Sequence, residues 1–224
     1  MSGFRIVNRT RKASAEQITA YHNLPVANIS DAMHRINSGG ANLRPYHAGG
    51  YMAGAALTVK CRPGDNLLVH YALNIAEPSD VIVVDAGGDV TNAIIGELML
   101  AYAAKKQIAG VVINGAVRDS QSIRHHSLPV YALGVTHRGP YKDGPGEVNV
   151  PISINGMVIA PGDLVLGDED GVLCVPFDDI DAIHTLASAR HNGEIAKLQA
   201  IVEGRNKRDW VEKKLRELGC EFPL

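Results

Sequence analysis

The chain has 224 residues, 46% hydrophobic and 21% charged, with a formal net charge of −2. That length buries a full core without a disulfide or a structural metal, and at about 150 residues per domain it suits a single domain. A near-neutral balance with 5% aromatics offers neither the basic stripe nor the stacking platforms of a nucleic-acid-binding surface.

Segment 14–23 opens on Ser14-Ala15-Glu16-Gln17 and predicts a short helix, stopped at Leu24-Pro25 because the residue before proline avoids the helical region. Ser30 reads as the N-cap of a second helix over 31–37, closed by Gly39-Gly40. Segments 51–60 and 67–71 read as strands, joined by the turn Arg62-Pro63-Gly64-Asp65, and 72–76 as a short helix. Val81-Ile82-Val83-Val84-Asp85 is a β-branched run ending in Ala86-Gly87-Gly88, the pattern of a strand buried on both faces. Helix formers fill 97–107, a second buried strand spans 109–113 and ends at Asn114-Gly115, and 120–126 and 129–135 predict a short helix and a strand. Turn dipeptides at Asn155-Gly156, Pro161-Gly162 and Asp170-Gly171 make 147–175 β-rich. From Asp178 onward the chain is helical, with a possible break at Asn192-Gly193 and a charged amphipathic tail over 207–218 suited to packing on a neighbouring subunit. The strand–helix–strand order over 81–113 predicts a mixed α/β fold whose sheet is at least partly parallel.

Cys61, Cys174 and Cys220 are odd in number and lack metal-ligand spacing, which fits a reducing compartment. The N-terminus lacks an apolar signal core, and no apolar run approaches about 18 residues. The expectation is a cytoplasmic protein with no membrane partner.

Ligands of open α/β sheets sit beyond the carboxyl ends of the strands. Two such ends are readable, Asp85-Ala86-Gly87-Gly88-Asp89 and Asn114 to Asp119, with Gly96-Glu97-Leu98-Met99 between them. A helix beginning near Gly96 has free first-turn amides that bind a carboxylate; one beginning at Asn92 has none to spare. Arg118-Asp119 places a fixed cation beside a hard oxygen ligand. The dipeptide alone reads more readily as a surface ion pair or a turn, since Arg208-Asp209 is also present. Asp85-Ala86-Gly87-Gly88 lacks the G-x-G-x-x-G spacing of a nucleotide loop and reads as a tight turn. His125-His126 diverge from one another and read as surface residues.

Glu97, twenty intervening residues and Arg118-Asp119 resemble the acidic-x20-Arg-Asp signature of class II pyruvate aldolases, a family homologous to the RraA regulators of ribonuclease E. Ser30-Asp31-Ala32, Pro63-Gly64-Asp65-Asn66, Val83 to Gly88, Gly110 to Asp119 and Gly167 to Val172 follow the family's stretches in order, over about residues 20–200. The resemblance implies a swivelling β/β/α-type single domain over 1–224, with a central sheet and a C-terminal helical tail at about 178–218. It implies a homotrimer or hexamer with active sites between subunits. It implies that Asp119 anchors a divalent metal, Mg²⁺ or Mn²⁺, largely through water. Arg118 would contact the keto oxygen of a small 2-oxo acid and stabilise the pyruvate enolate. The backbone at Gly96, Leu98 and Met99 would hold the carboxylate, Glu97 would order a proton-shuttling water, and Glu194 would approach the metal of an adjacent subunit. Two positions depart from the pattern: Glu97 stands where the aldolases carry aspartate, and Ser122 where an acidic residue often follows. The activity implied is retro-aldol cleavage of a 4-hydroxy-4-methyl-2-oxoglutarate-type substrate, oxaloacetate decarboxylation, or both, giving pyruvate. The alternative is a non-catalytic RraA-like protein that binds and inhibits a ribonuclease.

Overall fold

The structure, a computed structural model, describes residues 3–222. The chain is a mixed α/β domain with one large central sheet and C-terminal helices. Its strands are β1 (Phe4–Ile6), β2 (Arg44–Pro45), β3 (Met52–Cys61), β4 (Asp80–Asp85), β5 (Ala93–Ile95), β6 (Gly110–Val117), β7 (Val130–Val135), β8 (Gly146–Val148), β9 (Ile152–Ile154), β10 (Met157–Ile159), β11 (Leu164–Asp168) and β12 (Gly171–Val175). Its helices are α1 (Ala15–Ala20), α2 (Val26–Ala32), α3 (Leu67–Ile75), α4 (Glu97–Lys105), α5 (Ser120–His125), α6 (Ile180–Val202) and α7 (Trp210–Glu217).

The sheet runs β1-β8-β3-β4-β6-β7-β2, with β11 and β12 continuing from one half of β3 and β5 beside β6. Strands β3, β4, β6 and β7 are mutually parallel, as the β-branched runs predict. All four carry apolar side chains on both faces, because helices and a second strand layer cover the two sides. Parallel strands need crossovers, and α3, α4 and α5 supply them. The loops at the carboxyl ends of β4, β5 and β6 therefore converge at one edge of the sheet.

Helix α1 begins as its sequence predicts. Ser14 Oγ accepts from the Gln17 amide and Gln17 Oε1 accepts from the Ser14 amide, a reciprocal cap. Four expectations are corrected. The second helix is α2, beginning after Pro25 rather than at Ser30; Asp168 Oδ2 accepts from the Val26 amide at 2.9 Å and anchors its start. Segment 67–71 is the first half of α3 and not a strand: Leu68, Val69, Ala72 and Leu73 are buried at helical spacing, and Asp65 Oδ1 accepts from the Leu67 amide. A short apolar run cannot by itself separate a strand from a buried helix. The strand expected to end at Asn114-Gly115 continues to Val117, because β5 and β7 pair with its second half. Helix α6 runs unbroken through Asn192-Gly193; one interior glycine costs about 1 kcal/mol, which a 23-residue helix tolerates.

Among the described residues no helix is long and apolar enough to cross a membrane, and Cys61, Cys174 and Cys220 are free thiols. Burial raises the Cys61 thiol to about 12, with Asp65 and Asp85 adding to the shift, so this thiol is inert.

Candidate active site

The register of β5 against β6 builds the site. Ile95 lies opposite Val117, so the next residues on each strand, Gly96 and Arg118, leave the sheet side by side. The Arg118 amide donates to the Ile95 carbonyl at 3.0 Å, which fixes the two exits together. Gly96 is the N-cap of α4, so the helix begins where the carboxylate-binding reading requires. Asp119 adopts the left-handed conformation, φ 58° and ψ 41°, and turns its side chain back toward α4. Its Oδ2 accepts from the Glu97 amide at 3.0 Å and lies 3.6 Å from Arg118 Nε.

A Cβ on Gly96 would overlap Asp119 Oδ2 and stand 2.9 Å from Arg118 Cγ. Its backbone is extended, so the glycine serves close approach and not an unusual conformation. The Arg118 and Asp119 side chains are 43% and 40% exposed, an ion pair held open to solvent. Among the expected carboxylate donors the Leu98 amide has no backbone acceptor, while the Met99 amide donates to the Gly96 carbonyl at 3.1 Å.

A cavity of about 120 Å³ opens inward from this pair, lined among others by Asn66, His70, Met99, Arg118 and Lys142. Three of these, Asn66, His70 and Lys142, went unassigned in the sequence. Asn66 stands in the noticed stretch Pro63-Gly64-Asp65-Asn66, but no spacing links it to Lys142. It is 2% exposed; its Nδ2 donates to the Ile94 carbonyl at 2.8 Å, while its Oδ1 is buried without a partner. A buried acceptor with nothing to accept from is costly, and a ligand donor would satisfy it. Burial lowers the His70 pKa from its ordinary value, and the Lys142 charge lowers it further.

Asp65, fully buried, holds the loop that carries Lys142. It accepts from the amides of Leu67, Asp143 and Gly144 at 3.0, 2.7 and 2.9 Å and from Arg62 at 3.1 Å. Burial works to raise its carboxyl, but these donors outweigh that effect and hold it below the usual carboxylate range. Over the other side, the 139–140 turn lies against Arg118, and a Cβ on Gly139 would stand 3.2 Å from Arg118 Nη1.

Glu194 lies elsewhere. It sits on α6, accepts from Asn28 Nδ2 at 2.7 Å and lies 3.7 Å from Arg190 Nε, and it does not line the Arg118 cavity of its own chain. Among the described residues no group of three His, Cys, Asp or Glu side chains converges. A cleft of about 570 Å³ beneath the N-terminal segment is larger than the Arg118 cavity. Its cations are committed, Arg9 to Asp80, Lys12 to Glu77 and Arg11 to Asp178, so it offers no free charge to a ligand.

Fold and site together define an α/β domain with a cleft at the carboxyl ends of parallel strands, where an arginine, an aspartate and the first turn of a helix meet. The chain belongs to the RraA-like family, described as Aldolase/RraA, whose model matches residues 26–174. It is 37% identical over 190 residues to a Halalkalibacterium halodurans protein provisionally named 4-hydroxy-4-methyl-2-oxoglutarate aldolase, covering 85% of this chain and 90% of that one. An uncharacterized protein from Pseudomonas syringae pv. tomato superposes with a TM-score of 0.79 at 26% identity, over 87% of this chain and 96% of that one. The RNA-processing inhibitor RraA of Thermus thermophilus superposes with a TM-score of 0.63 at 32% identity, over 68% of this chain and 92% of that one.

Proposed function

We propose that the protein is a divalent-metal-dependent lyase that cleaves a C–C bond of a small 2-oxo acid and releases pyruvate. One observation carries this reading: Arg118 and Asp119 are packed over the glycine that opens α4, with the Leu98 amide free beside them. Cation, hard oxygen donor and anion-binding amide thus occupy one small volume. The name of the Halalkalibacterium relative supports the same chemistry.

The donor set suits a hard ion that keeps most of its waters. Asp119 spends one oxygen on the Glu97 amide, has its other oxygen free of hydrogen-bond partners among the described residues, and belongs to no group there of three or more His, Cys, Asp or Glu side chains. Mg²⁺ or Mn²⁺ accepts such a site; a closed zinc cage needs more ligands. When bound, the ion supplies a Lewis acid for the oxygens of the 2-oxo acid.

The chain's own groups do the rest. The amide of Leu98, the one of the three expected donors left unbonded beside Gly96 while Met99 is committed to the Gly96 carbonyl, receives the substrate carboxylate at the positive end of α4. Arg118 faces the keto oxygen and stabilises the negative charge that develops there. The water that Glu97 orders takes the 4-hydroxyl proton, and an oxygen lone pair forms the product carbonyl as the C3–C4 bond breaks. The electron pair is left in the enolate, and Glu97 orders the water that returns a proton to C3. Lys142 and His70, which line the same cavity, place positive charge and an imidazole N–H where a second substrate carboxylate would lie. Oxaloacetate decarboxylation passes through the same enolate, so the two activities share one site. The proposed assembly is a homotrimer or hexamer in the cytoplasm, in which Glu194 of one subunit approaches the metal of the next.

Pyruvate release from 4-hydroxy-4-methyl-2-oxoglutarate and from oxaloacetate, coupled to lactate dehydrogenase, tests the proposal. The expected rate depends on Mg²⁺ or Mn²⁺, disappears with EDTA, and falls by at least about 100-fold in Arg118→Ala. An Arg118→Ala protein with most of its activity would refute the site. Similarity to the Thermus RNA-processing inhibitor favours a second reading, a ribonuclease-binding protein. No lyase rate with either metal, together with stoichiometric capture of a ribonuclease, would establish that one instead.

A further inference from the structure

Asn28 lies on α2 and is 5% exposed, yet its side chain reaches a residue on the outer face of another helix. Asn28 Nδ2 donates to Glu194 Oε2 at 2.7 Å. One turn earlier on α6, Arg190 Nε lies 3.7 Å from Glu194 Oε1, and Arg190 Nη2 lies 2.6 Å from Asp31 Oδ2 in an ion pair. Asp31 also binds Arg35 at 2.6 Å. A buried amide and a tethered guanidinium thus bracket one carboxylate. The anchor is stiff, because α2 is pinned by Asp168 at Val26 and buries Val26 and Ile29 in the apolar cluster that also holds Ile180 and Ala187 of α6.

The carboxylate so held is half exposed. A free surface glutamate samples several rotamers, and fixing one gives up side-chain entropy. Folding gains little from fixing it here, since exposed ion pairs contribute little to stability. Glu194 also shares a stripe of α6 with Leu198 and Ile201, four and seven residues further along the same helix face, both at least half exposed. A pre-oriented charge inside an uncovered apolar stripe is arranged to meet another surface.

We infer that Asn28 is a positioning residue, fixing the Glu194 carboxylate in the orientation it presents to the Arg118–Asp119 site of a neighbouring copy. The inference rests on the proposed role of Glu194 in that site. Asn28 touches neither substrate nor metal and acts through Glu194, with Arg190 as the weaker of two restraints.

The test is Mn²⁺ binding to the metal-free full-length protein, followed by the electron paramagnetic resonance of free Mn²⁺, for wild type, Asn28→Ala, Arg190→Gln, Glu194→Gln and the Asn28→Ala/Glu194→Gln double variant. Melting temperature and sedimentation are measured alongside. Glu194→Gln is expected to weaken Mn²⁺ binding about tenfold, Asn28→Ala about three- to tenfold and Arg190→Gln about twofold. The double variant is expected to match Glu194→Gln alone, since residues acting through one group are not additive. If Asn28→Ala fails to fold, the isosteric Asn28→Asp replaces it, with the same weakening expected because it sets like charge against Glu194. Weakened binding in Glu194→Gln with wild-type binding in the Asn28 variant would overturn the inference alone. Wild-type binding in both would overturn the role of Glu194 and the inference with it. A lower melting temperature with unchanged Mn²⁺ affinity would reduce Asn28 to a helix clamp. Failure of the lyase reading is seen separately, as no pyruvate release by the wild type.

Discussion

Gly96→Ala separates the site from the fold. The backbone at Gly96 is extended, φ −151° and ψ −169°, which alanine adopts freely. The new methyl group therefore acts through contact alone. It would overlap Asp119 Oδ2 and stand 2.9 and 3.0 Å from Arg118 Cγ and Nε, against an ordinary carbon contact of about 3.5 to 4.0 Å. Both side chains must shift by roughly 0.5 to 1 Å, and Asp119 must give up its bond to the Glu97 amide. Both are partly exposed and free to move outward, so the expected stability loss is within about 1 kcal/mol. Displacement of reacting groups by about 1 Å costs about 100-fold in rate. The assay pairs steady-state pyruvate release with thermal unfolding of the same preparation. The expected result is a fall in kcat of about 100-fold with a melting temperature within a few degrees of wild type. Activity within twofold of wild type would refute the argument that these contacts set the reacting geometry.

Asp65→Asn places an amide against three backbone donors; it should cost about 1 to 3 kcal/mol in urea unfolding and raise KM more than it lowers kcat, because the Lys142 loop loosens. An unchanged KM would mean that Lys142 does not touch substrate. The His70 pKa lies below its ordinary value of about 6.5, so the unfolded chain takes up the proton first as pH falls. The stability His70 contributes is full above pH ~6.5 and is lost as pH falls through its lower folded value. NMR titration should place its midpoint below ~6.5, and Lys142→Ala should raise it; a midpoint at or above ~6.5 would contradict the burial argument. Arg9→Ala removes both guanidinium bonds, 2.8 and 3.0 Å, from fully buried Asp80 and should cost about 3 to 5 kcal/mol in the same unfolding measurement, while a loss under 1 would show that water replaces the guanidinium.

What was legible in the sequence is what local chemistry determines. Val81 to Asp85 is β-branched throughout and forms the buried parallel strand its composition predicts. Helix formers over 97–107 mark α4, but whether it starts near Gly96 or at Asn92 is open in the sequence, and only the fold puts the N-cap at Gly96. Segment 67–71 failed because its apolar run fits either period, and its helical state is set by Asp65 at its N-terminus. Ser30 failed because the proline five residues earlier starts the helix first. The inner cavity was not legible: Asn66 and Lys142 are brought together by the hydrogen bonds of Asp65 to residues 143 and 144, a link across 78 and 79 positions. Asn28 and Glu194, 166 residues apart, are joined by tertiary packing alone.

The exposure of the site bears on how the proposed chemistry would work. Electrostatic stabilisation of an enolate is strong where water is excluded and weak where charges face bulk solvent. Within one chain Arg118 and Asp119 are each about 40% exposed, and Leu98, at the mouth of the cavity, is 83% exposed. A large apolar side chain left bare beside a functional cleft marks a surface that is covered in use. The stripe on α6 that holds Glu194 is a second bare apolar face on the same chain, and it carries the carboxylate proposed to reach the cleft of the next subunit. Two unlike faces that complement each other give a head-to-tail contact, which closes into a ring when the rotation permits. In the proposed assembly, association and catalysis would be a single event: covering Leu98 would exclude water from Arg118 and bring Glu194 of the next subunit to the proposed metal site in the same step. A variant that dissociates the ring should then lose pyruvate release even with Arg118, Asp119 and Glu194 all present.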